Sequence, residues 1–319
     1  MNNEKPTLKG VFEARKRISP YLTKTPLVNY PRLSKVAGFE IYVKHENLQP
    51  TGAFKIRGGI NLVSQLSPED KRKGVITAST GNHGQSIALA SKMFGVKTIV
   101  CVQEHANPDK VEAIRMYGAD IIAEGSDFDE ARVNSERIGK ERGMRYVHSA
   151  NETHLIEGVA TAGLEILEDL PDVDAIFVPV GGGTMAAGLA IVFKSIRPEV
   201  KIFAVQAENA PSVFMSWKSG KLESTESAST IADGLATRQA FKLTVPILRE
   251  LVDDFILVSE DEIKDAVRLY VEKAHTIAEG AGAAPLAACL KVKASLKGKK
   301  VVLILSGGNI PLELLKSIL

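Results

Sequence analysis

One lysine stands among apolar and small residues in the run Asn47-Leu48-Gln49-Pro50-Thr51-Gly52-Ala53-Phe54-Lys55-Ile56-Arg57-Gly58-Gly59. Most lysines are solvated surface groups. One taken out of water has a lowered pKa and becomes a nucleophile able to form an imine. Ser79-Thr80-Gly81-Asn82-His83-Gly84-Gln85 lies between an apolar run and a helix-like run. Free amides at a helix N-terminus there would attract an anion such as a carboxylate; the alternative is plain capping by Thr80 or Asn82. Gly181-Gly182-Gly183-Thr184 follows the apolar run AIFVPV. Three glycines let backbone amides close around a phosphate at the start of a helix, or they make a close-packed turn. The segment is neither a Walker loop nor GxGxxG. Ser306-Gly307-Gly308-Asn309, after the last apolar run, reads by itself as a tight turn before a final helix.

The elements that must position these residues alternate. Strand-like runs at 74–79, 97–102, 119–123 and 145–148 are separated by helix-like runs at 83–94, 108–117 and 127–142. The pattern resumes with a helix at 155–169, strand 175–180, helix 184–196 and strand 201–206. It ends with strand 255–258, helices 261–274 and 282–296, strand 300–305 and helix 310–318. The strands are short and almost wholly apolar, as expected when helices cover both faces of a parallel sheet. The reading is α/β, with two open, mostly parallel twisted sheets flanked by helices and a cleft between them. Residues 74–148 form a small unit inserted into a large one made of 1–73 and 149–319. Ligands in such sheets sit at the carboxyl ends of the strands, where the four motifs fall.

Bulk properties exclude several classes. The chain of 319 residues suggests about two domains. A formal net charge of +2 gives no electrostatic case for nucleic acid or an anionic membrane. The opening MNNEKPTLKG has no apolar core of a signal peptide, and no run of about 18 apolar residues predicts a membrane span. Cys101 and Cys289 sit in apolar contexts without zinc-like spacing, which predicts two buried thiols and a cytoplasmic protein.

In this order, the four motifs resemble those of the fold-type II pyridoxal-phosphate enzymes, in the branch of the threonine/serine dehydratases (ammonia-lyases) and serine racemases. The resemblance runs from Thr25-Pro26-Leu27 to Asn309. It implies pyridoxal 5'-phosphate as cofactor, an amino acid substrate and a homodimer. Lys55 would anchor the cofactor covalently, Phe54 would pack near its ring and Asn82 would hydrogen-bond the ring oxygen. Gly181, Gly182, Gly183 and Thr184 would cradle the phosphate with Met185 close by, and Ser306 would meet the pyridine nitrogen. Ser79, Thr80, Gly81, Asn82 and His83 would receive the substrate carboxylate, and Glu279 would lie near the cofactor. The activity implied is β-elimination of L-threonine or L-serine to a keto acid and ammonia. A neutral Ser306 makes a weaker electron sink than a carboxylate would, which favours elimination over transamination.

The sequence departs from that pattern at several places. Serine racemases carry a serine where this chain has Thr80, whose methyl restricts χ1. The family's divalent-cation site would need carboxylates where Gln206 and Ser212 stand, so no metal is expected. No added C-terminal regulatory domain is expected after Ser306. Asp233 matches a family landmark of structural character, and Phe214 and Trp217 are expected in the core. The rival readings are a racemase, a dehydratase of a bulkier or acidic hydroxy amino acid, a non-catalytic cofactor-binding protein, and a nucleotide-binding protein using Gly181–Gly183.

Overall fold

The computed structural model describes residues 4–126 and 128–319. The first three residues of the opening segment, and Asp127 at the start of the helix expected over 127–142, lie outside the described residues. The chain begins with α1 (Leu8–Ile18), β1 (Leu27–Asn29), α2 (Pro31–Ala37), β2 (Glu40–His45), α3 (Lys55–Ser64) and α4 (Pro68–Lys73). Next come β3 (Val75–Ala78), α5 (Asn82–Met93), β4 (Thr98–Val102), α6 (Pro108–Met116), β5 (Asp120–Ala123), α7 (Phe128–Arg142) and β6 (Arg145–Tyr146). The remainder starts with α8 (Thr153–Asp169), β7 (Ala175–Pro179), α9 (Thr184–Ile196), β8 (Lys201–Ala207), α10 (Ser212–Ser219) and α11 (Thr244–Leu251). It closes with β9 (Asp254–Val258), α12 (Glu260–Leu269), α13 (Gly280–Lys291), β10 (Lys300–Leu305) and α14 (Leu312–Ile318).

The strands form two sheets. One has six strands in the order β1-β2-β10-β7-β8-β9, the other four in the order β5-β4-β3-β6. Every pairing is parallel except β1 with β2. Strands β3, β4 and β7 are buried along their whole length, because helices cover both faces and leave no polar side to the sheet. On the large sheet the alternate residues Phe177, Leu303 and Val301 face one apolar cluster while Ile176, Val178 and Val302 face another. No helix among the described residues is long and apolar enough to cross a membrane.

Two differences from the sequence pattern have local causes. The helix expected to continue to 274 leaves α geometry after Leu269 and widens into a π turn over Tyr270–Ala274. It stops at His275, which adopts the left-handed region at φ 52°. Helix α3 is not marked by periodicity, because Gly58 and Gly59 in its middle are poor helix formers. Packing requires them: a Cβ on Gly58 would lie 2.9 Å from Leu155 O, and one on Gly59 would lie 2.4 Å from Ser86 Oγ. These glycines let α3 lie tightly between α8 and α5.

Candidate active site

Strands β2, β10 and β7 are neighbours in the large sheet and point the same way. The loops leaving their carboxyl ends therefore meet, although the chain separates them widely. They carry the Lys55 segment, the Ser306 segment and the glycine triplet. From β7 the chain moves outward through β8 and β9, then returns to the other side of β7 as β10. The strand order reverses between β7 and β10, which is where such sheets open a ligand crevice. The segment after β3, Ser79–His83, closes the crevice from the small sheet. The resulting cavity of about 490 Å³ is lined by Phe54, Lys55, Ser79, Thr80, Gly81, Asn82, His83, Gly181, Gly182, Gly183, Thr184, Met185, Glu279 and Ser306. Every site residue named from the sequence thus borders one space.

Lys55 is the first residue of α3, and its Nζ projects into the cavity. It donates to Ser149 O and to Thr184 Oγ1, each at 3.3 Å. Burial pushes the ammonium down to about 8, because a charge is poorly solvated there. The preceding loop is zippered to the Ser306 segment: Phe54 N donates to Ser306 O at 3.0 Å and Gly308 N to Gly52 O at 2.9 Å. The fourth motif is therefore one side of a short antiparallel bridge, Ala53 with Gly307, rather than a simple turn.

The glycine triplet leads into α9, whose N-terminus has no side-chain cap. Gly183 has φ +83°, and a Cβ on Gly181 would fall 2.1 Å from Gly234 O. Thr244 Oγ1 donates to Gly182 O at 2.8 Å and pins the loop. The start of α5 is likewise uncapped by any side chain, so neither Thr80 nor Asn82 serves as a cap. Around Gly81 there is open space where a Cβ would be. Ser79 Oγ accepts from Gly81 N at 3.2 Å and shapes the turn. His83 points the other way: its Nε2 lies 3.0 Å from Thr77 Oγ1. Burial, with Lys55 nearby, holds its imidazolium down to about 3, so the ring is neutral.

Asn82 Nδ2 donates to Glu279 Oε1 at 2.9 Å. Burial raises the Glu279 carboxyl to about 7, although the bond from Asn82 and the charge of Lys110 pull it back. Lys110 on α6 pairs with Asp233 at the cavity edge, which joins the two sheets there. Phe214 and Trp217 pack on Phe255 as core residues. At the positions expected to lack a cation site, Gln206 Oε1 accepts from Phe214 N at 3.0 Å and Ser212 Oγ donates to Thr237 O at 2.8 Å. Cys101 and Cys289 are buried, free thiols.

Several participants carry no signal in the sequence. Ser149 holds Lys55 through a backbone carbonyl, which any residue would supply. Ser86 Oγ donates to Lys55 O at 2.7 Å, and its only hint is the helical spacing from Asn82. Behind Lys55 lies a buried ionic cluster. Arg57 reaches Glu46 Oε2 at 2.7 Å and Glu165 Oε1 at 2.6 Å, and Lys44 reaches Glu165 Oε2 at 2.6 Å.

Residues 18–307 match the family of pyridoxal-phosphate dependent enzymes. The chain is 43% identical over 313 residues to the L-threonine ammonia-lyase of Thermotoga maritima, covering 98% of this chain and 78% of that protein. It superposes on the structure of maize serine racemase with TM-score 0.94 at 35% identity, covering 98% of this chain and 97% of that one. For the processed form of threonine deaminase isoform 2 from Solanum lycopersicum the TM-score is 0.91 at 32% identity, with 98% and 89% covered.

Proposed function

The chain belongs to the pyridoxal-phosphate-dependent enzymes, and from that premise we propose that it is an ammonia-lyase, converting L-threonine or L-serine to 2-oxobutanoate or pyruvate and ammonia. The observation that carries the reading is a lysine amine of lowered pKa next to an uncapped, side-chain-free glycine loop in one cavity. That pairing suits a ligand with both an aldehyde and a phosphate. Gly181, Gly182 and Gly183 line the cavity without side chains, directly ahead of the uncapped start of α9, and the cofactor fits the residues present.

Lys55 would anchor the cofactor, Gly181–Thr184 and Met185 would hold its phosphate, and Asn82, Phe54, Ser306 and Glu279 would surround its ring. When bound, pyridoxal phosphate supplies the electron sink that stabilises negative charge at the substrate α-carbon. The other tasks fall to the chain. The free amides at the start of α5, beside the open face of Gly81, receive the substrate carboxylate. Lys55 Nζ, once freed, takes the proton from the substrate α-carbon; a pKa near 8 leaves it basic yet partly neutral at working pH. His83 is already engaged with Thr77 and contributes through its backbone. Ser306 offers a hydroxyl rather than a carboxylate, so beside the ring nitrogen it would not stabilise a proton there, which would favour elimination.

The cavity also bears on substrate class. Besides Lys55, the cation among its described lining residues is Lys110, and that is already paired with Asp233. A small neutral side chain suits this wall better than an acidic one. The likeness to maize serine racemase supports racemisation as a second reading, with Thr80 as the second acid/base group. The same proposal divides the chain into a large unit, 1–73 and 149–319, and a small one, 74–148, as the two sheets suggest. It also includes a homodimer, which would cover the exposed Leu48, Ile277 and Leu312. A cytoplasmic site accords with two free buried thiols. The test is turnover of L-threonine and L-serine with added cofactor, scoring keto acid and D-enantiomer together. Keto acid without D-amino acid is the expected result; a dominant D-product makes the racemase reading correct, and neither product refutes both.

A further inference from the structure

A side-chain amide has one end that donates and one that accepts, so its orientation decides what it offers a ligand. The bonds around Asn82 leave a single orientation. Thr51 O, a carbonyl that can only accept, lies 2.8 Å from Asn309 Nδ2. Asn309 must therefore present its NH2 on that side. The same NH2 lies 2.8 Å from Asn82 Oδ1, so the acceptor end of Asn82 is taken. Asn82 Nδ2 is thereby turned to Glu279 Oε1 at 2.9 Å. Glu279 also accepts from the backbone N–H of Asn309, which closes the ring. An amide NH2 has two protons, and Glu279 takes one of them; the second is left for a ligand in the cavity.

The backbone leaves room for this arrangement at two points. Gly52 has φ +66°, and a Cβ there would fall 2.4 Å from Asn309 Oδ1. A Cβ on Gly307 would fall 2.6 Å from Glu279 Oε1. One glycine from each side of the bridge thus clears space for a partner of the Asn82 amide.

We propose that Asn309 is a positioning residue that fixes the Asn82 amide with its NH2 facing Glu279 and the cavity, and so sets the donor that Asn82 offers the cofactor. This rests on the reading that Lys55 and Asn82 hold pyridoxal phosphate. The NH2 of Asn309 is taken up by Thr51 O and Asn82 Oδ1, so Asn309 acts through Asn82. Asn309→Asp keeps the size of the side chain but has no NH2 and sets an acceptor against Thr51 O. The Asn82 amide would then turn over to donate to the new carboxylate.

The experiment uses the full chain and its Asn82→Ala, Asn309→Ala, Asn309→Asp and Asn82→Ala/Asn309→Ala variants. It measures the dissociation constant for pyridoxal phosphate and the absorption band of the Lys55-bound cofactor across pH, with circular dichroism melting to check the fold. Asn309→Ala is expected to weaken binding roughly tenfold, the scale of one polar hydrogen bond, and to move the band in the same direction as Asn82→Ala. Asn309→Asp does at least as much. The double variant is no worse than Asn82→Ala alone, since Asn309 acts only through Asn82. Additive losses in the double variant, or a folded Asn309→Asp with unchanged affinity and band, overturn the proposal. Borohydride reduction with peptide mass analysis separates the two levels. A wild-type chain that does not retain the cofactor on Lys55 overturns the reading of the site and this inference with it. Retention in the wild type, with unaltered Asn309 variants, overturns the inference alone.

Discussion

In the cofactor-free chain, Lys55 is expected to react with a small aldehyde near neutral pH, well below the range of surface lysines. Burial sets its pKa at about 8 against the ordinary 10.5. At pH 7 about one molecule in eleven then carries a neutral amine, against about one in 3000 for an ordinary lysine, an advantage of roughly 300-fold. Thr184→Asp is the perturbation that tests the cause, because Lys55 Nζ lies 3.3 Å from Thr184 Oγ1. A carboxylate at about 4 Å in an effective dielectric of about 20 favours the ammonium by about 4 kcal/mol, enough to cancel the desolvation. The assay is reductive methylation with isotopically labelled formaldehyde, following the Lys55 peptide by mass spectrometry between pH 6 and pH 11. The rate should rise with a midpoint near 8 in the wild type and above 10 in Thr184→Asp. A wild-type midpoint above 10, or a midpoint that Thr184→Asp leaves in place, refutes the reasoning.

Three other outcomes follow from the geometry. Arg57→Met strands the carboxylates of Glu46 and Glu165 beside Lys44 alone and is expected to cost about 3–5 kcal/mol in urea unfolding at pH 7. Burial alone would raise Glu46, but Arg57 holds it low. Without Arg57 its folded pKa exceeds the unfolded one, so the deficit is full above the folded value and narrows as pH falls toward about 4.5; a deficit constant from pH 7 to pH 5 contradicts this. Gly181→Ala drives a Cβ to 2.1 Å from Gly234 O and should weaken cofactor capture more than tenfold in a fluorescence titration, by an order-of-magnitude view of a lost phosphate cradle. Glu279→Gln should flatten any step near pH 7 in the spectrum of the bound cofactor, because the buried carboxyl titrates at about 7 in the presence of Asn82, Lys110, the Asn309 N–H and Asp233. A step that survives the change assigns the titration to another group.

Much of this architecture is legible in the sequence for a physical reason. Parallel strands covered on both faces are short apolar runs, and Val75–Ala78, Thr98–Val102 and Ala175–Pro179 are fully buried as such runs predict. The glycine triplet and the Asn82 segment announce themselves because anion sites at helix starts need backbone, not side chains. What periodicity misses is set by distant partners. Helix α3 contradicts its own propensity at Gly58 and Gly59, and only Leu155 and Ser86 explain why. The direction of His83 depends on Thr77, and the carbonyl of Ser149 is invisible in principle. Asn309 is visible in its motif, yet its task cannot be read until Thr51 and Asn82 are found beside it.

The lysine is held from both sides of the sequence. Before it, Gly52 and Phe54 are bonded to Gly308 and Ser306, so the carboxyl end of β10 fixes the approach to α3. After it, Arg57 grips Glu46, which directly follows β2, and Glu165 on α8. Ser86 ties the Lys55 carbonyl to α5. Four elements therefore determine where one amine sits, and of these tethers only the bond from Ser86 falls on Lys55, at its backbone carbonyl. That division has a chemical logic. An amine that must leave its anchor and accept a proton has to be free at Nζ and fixed at the backbone, and reactive groups need such support from their surroundings. The buried charges of Lys44, Glu46, Arg57 and Glu165 balance at two of each sign. They can therefore stiffen the base of the lysine without adding net charge beside it, and the amine keeps the lowered pKa that burial gives it.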